Sequence, residues 1–281
     1  MSEQIKRQES VRETESVKVS GTIYNSDYIR KVDKSKIPVC NILGADIAAI
    51  NMDWAVKYFK MYIKDLSGDY VCVSNVHTTI TSYEDAEYCA MQNGGIMAIP
   101  DGGPLSTVGR KYGHKKMDRV TGPSLMGELF KISAENSYRH YFYGSTEETL
   151  VKLYQKLQEK YPGIQIVGMY SPPFRPITEE ENENIIKVIN DANPDFVWVG
   201  LGAPKQEKWM AAHQGRVKGL MFGVGAGFDY YAENIKRAPV WMQRINMEWF
   251  YRLIQDPKRL FRRYMKTNTK FLWLIAREKI K

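Results

Sequence analysis

From Ile37 onward, short apolar runs alternate with amphipathic stretches of helical length. Residues 39–43, 70–74, 96–99, 140–143, 164–169, 196–199 and 220–224 read as strands. Their apolar character is continuous rather than alternating, as in Val71-Cys72-Val73, which marks strands buried on both faces. Two of the intervening stretches open on capping-box spacing: Ser145 lies three residues before Glu148, and Thr178 three before Glu181. Strand and helix in regular alternation predict an α/β fold, a Rossmann-like parallel sheet flanked by helices. Residues 1–37 read as a polar N-terminal arm and 38–238 as the α/β domain. No internal repeat or low-complexity segment interrupts the pattern.

Charge changes the picture beyond residue 238. Residues 239–281 hold eleven Lys and Arg against three Asp and Glu, a surplus equal to the +8 of the whole chain, so the rest of the protein is neutral. Three of the six Trp, at Trp241, Trp249 and Trp273, lie in the same stretch among Phe250, Tyr251, Phe261, Tyr264 and Phe271. Cations interleaved with aromatic rings at helical spacing suit an anionic membrane surface. This stretch therefore reads as a basic, helical, membrane-associating C-terminal appendage.

Other features narrow the class. Cys40, Cys72 and Cys89 are scattered and odd in number, which argues against a disulfide framework and a zinc site. The opening residues are polar, and no apolar run approaches the roughly 18 residues of a spanning helix. The expectation is a cytoplasmic protein, at most peripheral to a membrane.

Ligands of such sheets bind beyond the carboxyl ends of the strands. Four segments follow strands there: 75–79 (Asn-Val-His-Thr-Thr), 100–103 (Pro-Asp-Gly-Gly), 200–207 (Gly-Leu-Gly-Ala-Pro-Lys-Gln-Glu) and 223–229 (Gly-Val-Gly-Ala-Gly-Phe-Asp). The glycine turns can bring backbone N–H groups close to a phosphate, but neither has the dinucleotide or P-loop spacing. Asp101 is either a turn residue or a rigid carboxylate able to act as a general base. Asn75 and Thr78 either orient a sugar, or Asn75 ends the strand and Thr78 or Thr79 caps the helix. His77 is a possible acid or base, or simply structural. Gln206 and Glu207 either cap the next helix or bind a diphosphate or sugar. No Asp-x-Asp occurs, so the carboxylate pair usual for a metal–diphosphate complex is missing, and no metal is expected. Arg and Lys would then meet leaving-group charge.

Together these motifs resemble the WecG/TagA/CpsF glycosyltransferase family. The resemblance extends to Arg119-Val120-Thr121-Gly122, Lys236-Arg237-Ala238-Pro239, Glu248-Trp249-x-x-Arg252 and Pro257-x-Arg259-Leu260-x-Arg262-Arg263-Tyr264, and covers about residues 38–266. It implies an inverting, metal-independent transferase without a cofactor. Such an enzyme moves a sugar from a UDP-sugar to a polyprenyl-diphosphate-linked acceptor at the inner face of the bacterial membrane. It further implies Asp101 as base, with Arg252, Arg259 and Arg262 completing the catalytic site. The substrate-binding set it implies is Asn75, Thr78, Gly102, Thr121, Gly202, Lys205, Gln206, Gly225 and Asp229. By the same resemblance Pro173 occupies the place of a turn that carries an aromatic near the uracil in members using N-acetylmannosamine donors, so base stacking is expected from Tyr170, Phe174 or proline faces and the donor sugar is left open.

Two readings compete. The basic, aromatic tail also suits single-stranded nucleic acid, which predicts a steep salt slope where the membrane reading predicts binding to anionic vesicles. A nicotinamide-dependent oxidoreductase is disfavoured by the missing fingerprint. The membrane reading, with no nucleic acid, is the one carried forward. The tail can also pack on a second subunit, making a homo-oligomer an open expectation.

Overall fold

The computed structural model describes residues 28–278, apart from the side chains of Arg244 and Arg259. The first part of the expected arm lies outside the described residues. Residues 28–37 pack on the domain: Arg30 pairs with buried Asp69 at 2.5 Å, and Lys34 Nζ donates to the Gly95 carbonyl at 2.6 Å.

In chain order the elements are β1 (Val39–Ile42), β2 (Ala45–Ala48), α1 (Met52–Tyr62), β3 (Tyr70–Ser74), α2 (Val76–Glu84), α3 (Ala86–Gly94), β4 (Met97–Pro100), α4 (Gly103–Lys111), α5 (Gly122–Asn136) and β5 (Arg139–Gly144). There follow α6 (Glu147–Lys160), β6 (Gln165–Tyr170), α7 (Glu179–Asp191), β7 (Phe196–Gly200), α8 (Lys205–Ala212), β8 (Leu220–Gly223), α9 (Gly227–Tyr231), α10 (Val240–Arg244), α11 (Glu248–Gln255) and α12 (Pro257–Glu278).

The eight strands form one sheet in the order β1-β2-β4-β3-β8-β7-β5-β6. All neighbours run parallel except β1 and β2. That pair is a hairpin closed by Leu43 and Gly44, both at positive φ (54° and 90°), as a two-residue turn matching strand twist requires. The seven expected strands are present within about two residues, and β2 is the addition. Alternate strand residues serve opposite layers. Phe196, Trp198 and Phe222 join Phe59, Phe130 and Phe142 on one face, while Val197, Val199 and Met221 join Tyr70, Tyr143 and Met91 on the other. Cys72 lies in that second layer, where burial pushes its thiol well up, as befits a core residue.

Thr178 and Glu181 form the expected capping box on α7. On α6 the cap is Thr146 rather than Ser145, accepting from the Thr149 N–H. Ser145 adopts φ +63° in the turn before it, which removes it from the extended geometry of an N-cap.

The C-terminal stretch folds into three helices. α11 and α12 are separated at Asp256 because the residue before a proline is pushed out of helical geometry, while Pro257 suits the first helical turn. Trp249 meets Tyr264 edge-on, centroids 6.1 Å apart, closing the two helices on each other. The far half of α12 joins the domain, with Phe271, Leu274 and Ile275 buried in the second core layer. Lys270 there pairs with Glu84 of α2 at 2.6 Å. No helix among the described residues is long and apolar enough to cross a membrane.

Candidate active site

The chain builds β3 and β4, crosses to the far edge for β5 and β6, and returns through β7 to set β8 against β3. Two half-sheets therefore meet at β3 and β8, the kind of switch point at which open α/β sheets bind ligands. A cleft of about 360 Å³ lies there, walled by the segments that leave β3, β4, β7 and β8 and roofed by the C-terminal helices.

Asp101 leaves β4 into this cleft. Its N–H donates to the Ser74 carbonyl at 2.7 Å and its carboxylate accepts the Gly122 N–H at 3.0 Å, so backbone and side chain are both fixed. Burial raises its pKa above the ordinary value. The Gly122 N–H and the Arg119 and Arg252 guanidiniums pull it back, and Glu248 adds to the rise. A raised pKa makes the carboxylate a stronger base.

Asn75 caps α2: its Oδ1 accepts from the His77 N–H at 2.9 Å and the Thr78 N–H at 3.3 Å, while Thr78 Oγ1 accepts the Asn75 N–H at 2.9 Å. The two line the cleft as well as forming the box, and the Asn75 side-chain N–H groups have no protein acceptor among the described residues. His77 lines the cleft too, its pKa lowered by burial and then by Arg263, which keeps the ring neutral near pH 7; its Nδ1 is buried without a partner among the described residues.

Gly102, Thr121, Gly202, Gln206 and Gly225 also line the cleft. Thr121 caps α5 by accepting the Ser124 N–H at 3.1 Å. Gly202 stands at φ +76° with open space where a Cβ would be, so its backbone angle is what requires glycine. Gly103 is needed for room: a Cβ there would lie 2.5 Å from the Asn246 side chain, which descends from the C-terminal stretch onto the start of α4.

Arg252 reaches the cleft from α11 and lies over the Tyr230 ring, 5.7 Å from its centroid. Arg259's side chain lies outside the described residues. Arg262 does not enter the cleft; it is exposed on a groove with Phe250, Leu253, Ile254, Pro257, Lys258 and Phe261. The neighbouring Arg263 faces the cleft instead, with Tyr264, Thr267 and Asn268. One residue turns a helical side chain by about 100°, so only one of two adjacent arginines can face inward. The spacing of Arg263, Tyr264, Thr267 and Asn268 along one helical face carried that signal.

Lys205 and Asp229 also stay out of the cleft. Lys205 is exposed, and the Asp229 carboxylate accepts from Asn234 Nδ2 at 3.3 Å on the turn after α9. The aromatics expected to stack on a base are elsewhere too. Tyr170 lies flat against Tyr143, centroids 6.0 Å apart, and Phe174 is 92% exposed. Tyr230, Trp249 and Tyr264 are the aromatic rings that line the cleft besides His77. Arg119, absent from the expected site residues, also faces the cleft, bonded to Glu248. Among the described residues no cluster of three or more His, Cys, Asp or Glu could hold a metal ion.

Residues 40–281 match the Glycosyl transferase WecG/TagA/CpsF family. The chain is 31% identical over 201 residues to an N-acetylglucosaminyldiphosphoundecaprenol N-acetyl-beta-D-mannosaminyltransferase of Bacillus subtilis (strain 168), covering 71% of this chain and 77% of that one. It is 28% identical over 252 residues to the enzyme of the same name from Staphylococcus aureus (strain MW2), covering 89% and 96%. With a family match over most of its length, and the family motifs gathered around one cleft, this chain belongs to the WecG/TagA/CpsF family and is a glycosyltransferase.

Proposed function

We propose that the protein transfers a sugar, with inversion and without a metal, from a UDP-sugar to a sugar carried on a polyprenyl diphosphate. The acceptor hydroxyl attacks the anomeric carbon while Asp101 takes its proton. The bond from that carbon to the UDP oxygen breaks, and UDP leaves with the electron pair. A single displacement needs no nucleophilic side chain. Arg252, Arg119 and Arg263 stabilise the charge that develops on the diphosphate.

One observation carries the reading: a backbone-anchored carboxylate with a raised pKa shares a cleft with the guanidiniums of Arg252 and Arg263 and with Arg119, which is paired with Glu248. The relatives' names, which specify a diphosphoundecaprenol-linked acceptor, supply its chemical class. The exposed apolar residues of α10 to α12, among them Trp241, Phe250, Ile254 and Phe261, favour work at the inner face of a membrane, where such an acceptor lies.

The test is UDP release from a panel of UDP-sugars, with and without a polyprenyl-diphosphate-sugar in detergent and in the presence of chelator. The expected result is release with one donor, only with the lipid acceptor, unaffected by chelator and lost in Asp101→Asn. Release that survives in Asp101→Asn removes that residue from its role. No release with any donor sinks the proposal.

A further inference from the structure

The Gln206 amide is held by its surroundings in one orientation, and that orientation restricts what it can recognise. Gln206 is on the first turn of α8 and is 4% exposed. Its Nε2 donates to the Gly223 carbonyl at 2.9 Å and to Glu207 Oε1 at 2.8 Å. Its Oε1 accepts the Gly202 N–H at 3.2 Å. Reversing the amide would set its N–H groups against the Gly202 N–H and its oxygen against the Gly223 carbonyl. Two backbone groups of fixed polarity therefore decide the orientation, and the Glu207 carboxyl occupies the second N–H.

A primary amide has two N–H donors and two carbonyl lone pairs. Both donors and one lone pair are engaged. The remaining lone pair is on Oε1, which lies at the cleft floor beside Gly225, 3.5 Å from where a Cβ of that glycine would stand.

We infer that Gln206 serves the cleft solely as a hydrogen-bond acceptor, contacting a hydroxyl or N–H of the bound substrate and not a phosphate oxygen, and that Glu207 is a positioning residue for it. This rests on the proposed UDP-sugar reading and narrows it. A diphosphate at neutral pH presents only acceptors, so it belongs to the arginines. Gln206 meets a donor group: a ribose or sugar hydroxyl, the imide N–H of the base, or an acetamido N–H.

Glu207 is suited to the positioning role. It is 1% exposed, one residue after Gln206, and does not line the cleft. Burial raises its pKa and the Gln206 amide pulls it back. Its other oxygen is buried near the Tyr88 hydroxyl. A buried carboxyl beside a ligand-facing amide contributes nothing to the ligand directly, so its effect must pass through Gln206.

The experiment is calorimetric binding of UDP, uridine, N3-methyl-UDP and 2′- and 3′-deoxy-UDP, with steady-state kinetics on the active UDP-sugar and its deoxy analogues. The proteins are the wild-type full chain, Gln206→Met, Glu207→Met and Glu207→Gln, with melting curves confirming that each folds. One analogue lacking a single donor is expected to lose about 3- to 10-fold in wild type, the usual range for one net hydrogen bond. That analogue should lose nothing further in Gln206→Met. Glu207→Met should raise KM for the donor more than it lowers kcat. Glu207→Gln, whose own amide oxygen can still accept from Gln206, should recover most of that loss. Losses that add in full for every analogue would overturn the inference. So would a Gln206→Met defect that appears only when the diphosphate is present. Wild-type protein that binds neither UDP nor any UDP-sugar would instead overturn the underlying reading.

Discussion

Arg119, between α4 and α5, donates a hydrogen bond to Glu248 at the first residue of α11, and both side chains are only 13% exposed. The same carboxylate stands 3.6 Å from Arg237, whose Nη2 reaches Ser124 Oγ at 2.6 Å on the first turn of α5. One carboxylate thus ties the C-terminal helices to two arginines of the sheet domain at the edge of the cleft, and it fixes where Arg252, one turn further along α11, enters.

Replacing Glu248 with Gln is therefore expected to do two things. Leaving two mostly buried guanidiniums without their partner should cost on the order of 3 kcal/mol, read as a lower denaturation midpoint. Because Glu248 raises the Asp101 pKa and Arg119 lowers it, losing the one and freeing the other should move the acid limb of the pH–rate profile to lower pH. A destabilised variant with an unmoved acid limb would separate Glu248 from the Asp101 environment.

Asp101→Asn should exchange activity for stability. A general base contributes typically 10²- to 10⁴-fold, and turnover should fall by that order. The stability sign follows from the raised folded pKa. The unfolded state gives up its proton first, so holding the carboxylate folded costs stability, and that cost is complete above the folded pKa. It is relieved as pH falls, and gone below the unfolded value of about 3.9. The asparagine introduced by this substitution can still accept the Gly122 N–H, so the variant should melt higher than wild type at neutral pH and lose that advantage in acid. Equal melting across the range would mean that Asp101 carries no burial cost.

Much of this was legible in the sequence, because buried parallel strands are continuous apolar runs and their carboxyl ends are where ligands bind. That logic placed Asn75, Asp101 and Gln206 on one cleft. It missed β2 because the Leu43-Gly44 turn depends on two positive φ values, one of them in a leucine, and leucine carries no turn signal. Arg262, Lys205 and Asp229, expected at the site, do not line the cleft, because a motif marks a neighbourhood, whereas helix phase decides which side chain of that neighbourhood faces inward. Arg119 was read as part of a motif but given no role in the site, because that role depends on a partner far along the chain, at Glu248.

The buried half of α12 should act as the anchor of the C-terminal helices. Phe271 is 1% exposed among core residues, so Phe271→Ala should cost about 3–5 kcal/mol. The adjacent Lys270 is a third exposed, and breaking its pair with Glu84 by Lys270→Met should cost no more than about 1 kcal/mol. Chemical denaturation of the two variants compares them directly; similar losses would mean that α12 is held by charge rather than packing.

The outer face of the same helices makes the last prediction. Phe250, Ile254 and Phe261 are exposed on α11 and α12, beside Lys258 and Arg262. Exposed rings and aliphatic groups raise the cost of remaining in water, and neighbouring cations add attraction to anionic headgroups. Because none of these five residues lines the cleft, changing them should leave UDP binding alone. The triple variant Phe250→Ser, Ile254→Ser, Phe261→Ser should therefore bind UDP like wild type. It should lose co-sedimentation with anionic vesicles and slow on a long-chain lipid acceptor, but not on a short-chain, water-soluble one. Lys258→Gln with Arg262→Gln should weaken vesicle binding only when the lipids are anionic and the salt is low, since screening removes that component above about 0.15 M. If the triple variant instead bound vesicles normally and changed its sedimentation coefficient, the face would be a contact between copies of the chain. If vesicles did not bind wild type but single-stranded nucleic acid did, with a steep salt slope, the basic charge of the tail would have to be reassigned to that partner.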